Sequence, residues 1–179
     1  MAKNLGTNLA RVWLRQSQDY GQERSGGSFY FQGDTIYSYG SHFPIAKLGT
    51  APNGEDVILF TTRTYSKTTS RHISEVRSAV RHSSRRVVYC DDPSGVLHDT
   101  TLLRFKDAMD SAAAKHAKAR KPELYAGDIY AQAEMAREYC EVMYLPVPTW
   151  ALLPSSIEPG KPLMAALLVH QETSNANHI

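Results

Sequence analysis

The sequence predicts an α+β fold: an antiparallel sheet of four or five strands, one helix inserted before the last strand, and a C-terminal helical hairpin. Three observations lead there. Two aromatic runs flank Gly33-Asp34, a helical apolar period over 69–82 lies between strand-like segments, and a long Ala- and Lys-rich stretch is parted by Pro122 from a second helical stretch. At 179 residues with formal net charge +2, the chain is long enough to bury a core without disulfides or metals.

In chain order, Leu9, Val12, Trp13 and Gln16 share one side of a helix over about 8–17. Gly21 and Ser25-Gly26-Gly27-Ser28 then read as a hinge, so that residues 1–27 form a helix plus linker. Residues 28–39 read as a two-residue-loop hairpin. Gln32 then faces Thr35, Phe31 faces Ile36, and Tyr30 faces Tyr37. Phe29, Phe31 and Ile36 make the core side, and Tyr30, Tyr37 and Tyr39 the other.

Residues 44–48 and 56–60 suggest two further strands across the turn-forming Ala51-Pro52-Asn53-Gly54. Thr69 or Ser70 can cap a helix to about His82, with Ile73, Val76 and Val80 facing the sheet. Residues 86–90 follow as a strand. Helices over about 99–119 and 123–143 complete a single α+β domain over 28–150, and 151–179 is a Pro-rich extension.

The words Phe29-Tyr30-Phe31, Gly33-Asp34-Thr35-Ile36-Tyr37-Ser38-Tyr39-Gly40, His42-Phe43-Pro44-Ile45-Ala46, Tyr65-Ser66 and Thr68-Thr69-Ser70-Arg71-His72 resemble a family of short proteins encoded by bacteriophages and plasmids. They cover roughly a third of the chain. The resemblance implies a mobile-element origin and assigns no activity.

Charge is uneven. Between Arg63 and Arg86 lie Arg63, Lys67, Arg71, Arg77, Arg81, Arg85 and Arg86 against the single acid Glu75. On a helix, Ser70, Ser74, Arg77 and Arg81 fall on one flank with Arg71 outward. Hydroxyls and guanidinium groups there suit phosphate oxygens. The competing reading is a solvated face whose arginines pair with acids such as Glu134, Glu138 and Glu141. Tyr30, Tyr37 and Tyr39 are the second candidate, able to stack on bases or else buried under a helix.

His42 and His72 are possible functional histidines, with Ser41, Tyr65, Ser66 and Arg71 as candidate nucleophile or anion clamp. No nucleophile elbow, phosphate loop or zinc-protease word orders them. Cys90 and Cys140 stand far apart, and no metal, cofactor or catalytic residue is expected. The N-terminus lacks a signal-peptide core and apolar runs fall far short of the ~20 residues that span a bilayer. The expected function is a nucleic-acid-binding accessory protein of a phage or plasmid, working in the bacterial host cytoplasm on DNA or RNA mainly through phosphate contacts. The alternatives are a modulator of a host protein and, third, an enzyme of unrecognised type.

Overall fold

The computed structural model describes residues 9–23, 27–94 and 97–152. The chain divides into two compact units, one ending at Leu97 and the other beginning at His98.

The first unit is a six-stranded sheet with strands in chain order: β1 (Tyr20–Gln22), β2 (Phe29–Gln32), β3 (Thr35–Ser38), β4 (Pro44–Thr50), β5 (Asp56–Thr61) and β6 (Arg86–Cys90). Neighbours pair antiparallel except β5 and β6, which are parallel and joined through α2 (Lys67–Val80). Strand β1 is the addition to the expected four or five. Gly21, read from the sequence as part of a hinge, lies in β1 opposite Phe31. The rest of that hinge, 24–26, lies outside the described residues, as does the extension from 153 onward.

The hairpin has the register that a two-residue loop dictates, with Gln32 opposite Thr35, Phe31 opposite Ile36, and Tyr30 opposite Tyr37. Gly33 carries it at φ 55°, a conformation that costs a side chain with a Cβ roughly 1–2 kcal/mol. No atom lies within 4 Å of where that Cβ would stand. Gly33→Val is therefore expected to lower stability by about 1–2 kcal/mol through backbone strain alone. A urea midpoint equal to wild type would mean the turn does not hold the register.

One face of the sheet buries Phe29, Phe31, Ile36, Ala46, Leu48, Ile58 and Phe60 against α1 (Leu9–Arg15) and α2. Helix α1 contributes Leu9, Ala10 and Trp13, and α2 contributes Ile73, Val76, Ala79 and Val80. Short as it is, α1 is held by tertiary contacts, as a seven-residue helix must be. Trp13 Nε1 donates to the Asp34 carbonyl (2.9 Å), Gln16 Nε2 to that of Gly33 (3.2 Å), and Gly33 N to that of Asp19 (2.7 Å). The start of α2 differs from the sequence reading. Ser66, not Thr69 or Ser70, is the cap, its Oγ accepting from Thr69 N at 3.1 Å.

The second unit is a helical hairpin, α3 (His98–Lys118) and α4 (Glu123–Met143). Met109, Ala112, Ile129 and Ala133 pack between them, with Trp150 against the cluster. The alanines let the two backbones approach closely. Tyr144, at φ 53°, ends α4, and Arg137 Nη1 donates to the Ala151 carbonyl at 2.7 Å, tying down the short 3-10 turn Thr149–Ala151. No described helix is long and apolar enough to cross a membrane.

Candidate functional site

The basic segment does not form one free patch. Arg63 makes a bidentate pair with the buried carboxylate of Asp91. Arg71 grips Glu23 with both terminal nitrogens at 3.1 Å, Arg85 lies 3.8 Å from Asp56, and Arg86 lies 4.0 Å from Glu55. Arg77 places its guanidinium 5.6 Å from the Phe60 ring centroid, a cation–π contact that uses part of its donor surface. Ser70 Oγ donates back to the Ser66 carbonyl, and Ser74 is exposed. Among the described residues, Lys67 and Arg81 are exposed and have no acidic partner.

The tyrosines are regrouped. On the sheet face opposite α1 and α2, Tyr30 and Tyr37 stack at 5.1 Å with planes 19° apart. Tyr20 from β1 extends the row, its ring 6.2 Å from Tyr30 and its hydroxyl donating to Gln22 Oε1. Burial, then the neighbouring Tyr37 and Tyr20, push the Tyr30 phenol above its ordinary range. Gln32 and Lys47 share this face, and Tyr20 keeps 39% of its surface exposed. Toward β5 and β6 the same face is buried at Val57, Leu59 and Val88.

Tyr39, expected in this row, is not there. The register shifts between Ile36 and Tyr37, β3 ends at Ser38, and Tyr39 takes φ 56°. Its ring lies 6.1 Å from that of His72, a residue stacked on Phe29 of the core face. The tyrosine row and the outer side of α2 therefore stand on opposite sides of the sheet, and no single surface includes both.

Segments 38–43 and 65–69 meet in a cleft of about 680 Å³ lined by Ser38, Tyr39, His42, Phe43, Tyr65, Ser66, Thr68 and Thr69. His42 and Tyr65 are brought together there, as are two residues in the sparsely populated left-handed region, Tyr39 and Gly40, at its edge. A Cβ on Gly40 would stand 3.1 Å from the His42 ring. Phe43 meets Tyr65 edge to face at 5.1 Å.

His72 lies fully buried behind this cleft, its Nδ1 2.8 Å from Ser38 Oγ and its Nε2 2.9 Å from Arg71 Nη2. A guanidinium has donors only, so Nε2 must be the acceptor and the ring proton sits on Nδ1. Nδ1–H then donates to Ser38 Oγ. Burial first, and the charge of Arg71 second, push the His72 pKa below its ordinary value, with Glu23 opposing weakly from 3.8 Å. A neutral ring with its proton turned toward the serine does not act as the base for that serine, and its two nitrogens are both occupied.

Beside it, Glu75 has one carboxylate oxygen buried without a partner. Burial, then the charge of Glu23, push the Glu75 pKa up. Among the described residues no group of three His, Cys, Asp or Glu is placed to hold a metal. Burial drives the Cys90 thiol up to about 12, which leaves it unreactive.

The sequence did not single out Tyr20, Glu23, Ser38 or Glu75. Ser38 sits on the core side of a strand by simple alternation, which is the one signal that could have found it. Comparison with protein-family models, with curated proteins and with solved structures finds no match.

Proposed function

We propose that the protein binds single-stranded nucleic acid by stacking bases on Tyr20, Tyr30 and Tyr37, as an accessory protein of a phage or plasmid in the bacterial cytoplasm. The observation that carries this is the continuous row of three phenol rings across β1, β2 and β3, on the face away from α1 and α2. Every base has a flat π-face, so such a row accepts any sequence. Gln22, Gln32 and Lys47 supply polar edges around it. The weight falls on stacking and not on phosphates, because most of the arginines are held by acids and the α2 side lies across the sheet.

Tyr37→Ala is expected to weaken binding of an oligothymidine or oligouridine by about 1–3 kcal/mol, read by fluorescence anisotropy. The salt slope should be shallow, no steeper than about −0.7, the value for the single phosphate contact that Lys47, 3.9 Å from Asp34 in the free protein, would make on exchanging that carboxylate for a phosphate. The Arg77→Ala/Arg81→Ala double variant should leave that slope unchanged. Wild-type protein that binds neither oligonucleotide at low salt would end this reading. The same aromatic and glutamine-rich face has the composition of a protein interface. Host partners that survive nuclease treatment in a pull-down, and are lost with Tyr37→Ala, would then identify it as a docking surface for a host protein.

A further inference from the structure

We infer that the cleft beneath Tyr39, Phe43 and Tyr65 is a second, independent site, and that it takes a nucleoside monophosphate. The argument starts with Ser38. It is fully buried, it borders the cleft, and its Oγ accepts the Nδ1–H of His72 because Arg71 occupies Nε2. The serine hydroxyl therefore keeps its own hydrogen to donate, and among the described residues no acceptor takes it. A buried donor left unmade costs about 1–3 kcal/mol. The cleft that Ser38 borders has room for such an acceptor, an oxygen of the occupant.

The rest of the lining defines that occupant. Tyr39 and Tyr65 offer two exposed rings to a planar group, with the largely buried Phe43 forming the floor beside them. Ser66, Thr68 and Thr69 bring hydroxyls, His42 an imidazole, and no carboxylate lines the cleft. Ser66 caps the 14-residue α2, so the backbone N–H groups of Lys67 and Thr68 have no acceptor within the helix, and the exposed Lys67 follows directly. A donor-rich, acid-free wall beside two exposed tyrosine rings suits a ligand that joins a planar base to an anion. A volume of about 680 Å³ is within the usual span for small-molecule sites.

The experiment is a calorimetric titration of the full chain with each of the four ribonucleoside 5′-monophosphates, the matching nucleosides and inorganic phosphate. At least one monophosphate should bind saturably, with its nucleoside and inorganic phosphate each about tenfold weaker or more, since each keeps only half of the contacts. Tyr65→Ala should weaken the monophosphate about tenfold. Its side chain is 74% exposed, so folding does not depend on it. Ser38→Ala, checked by its melting curve, should do the same, while Tyr37→Ala should change oligonucleotide binding alone. No saturable binding by any monophosphate up to about 10 mM, affinity indifferent to Tyr65→Ala, or a nucleoside as tight as its monophosphate would each overturn the proposal. Loss of oligonucleotide binding with mononucleotide binding intact would sink the stacking reading and leave this one standing.

Discussion

Replacing Trp13 by alanine is expected to lower stability by about 3–5 kcal/mol. The side chain has no exposed surface and sits in the core with Phe29, Phe31 and Ile36. Its removal opens a cavity between α1 and the sheet, and a helix of seven residues has little intrinsic stability with which to resist collapse or unravelling. The indole also donates to the Asp34 carbonyl at 2.9 Å, so the alanine variant loses the bond that anchors the hairpin turn. Trp13→Phe separates the two effects: it refills much of the cavity, and its residual deficit of about 1 kcal/mol reports the hydrogen bond. Urea denaturation checks both. A loss under 1 kcal/mol for the alanine variant would mean that α1 is an appendage, as the sequence alone suggested.

Arg63→Met is expected to cost about 3 kcal/mol or more at neutral pH. Asp91 is only 2% exposed, and Arg63 meets both of its carboxylate oxygens. The pair also raises the Arg63 pKa, the hydrogen bond to Asp91 being the main cause. Removing the cation leaves a carboxylate in a poorly solvated place, which typically costs about 3–5 kcal/mol. Arg63 is itself partly exposed, so the lower end applies. Asp91→Asn on top of Arg63→Met should recover much of the loss, because the stranded charge is then gone. A single variant as stable as wild type at pH 7 would show that the remaining contacts of Asp91 suffice, and would return Arg63 to the pool of phosphate-binding candidates.

The elements that were legible are those whose signal is local. The hairpin register follows from Gly33-Asp34 and a period of two, and the helix over Glu123–Met143 follows from Pro122 and its apolar spacing. Strand β1 has no such signal: Tyr20-Gly21-Gln22 is too short to alternate and contains a glycine. Missing β1 meant missing Tyr20, and with it the third ring of the row. Tyr39 was misplaced for the opposite reason, since the period of two was carried one residue past the strand, where a left-handed backbone turns its ring toward His72. The pairing of Arg71 with Glu23 joins residues 48 apart in sequence, and no local pattern encodes it. His72 could be seen as a candidate, but the proton position that decides its chemistry depends on Arg71 Nη2, a contact that exists only once the chain is folded.

Each strand of the sheet lies next to the strand before it in the chain, from β1 through β6. During synthesis, every strand after the first therefore finds its partner already outside the ribosome. The sheet can lengthen in the direction of translation, with short loops to close at the hairpins. The exception is β6, whose parallel pairing with β5 must wait for α2 to be made and to cross over. Until then β5 presents an unpaired edge rich in Val57, Ile58, Leu59 and Phe60, the segment most able to pair with another nascent chain. Conditions that slow elongation while β5 is outside the ribosome and β6 is not should thus reduce the soluble yield, and do so more than slowing at any earlier stage of the sheet.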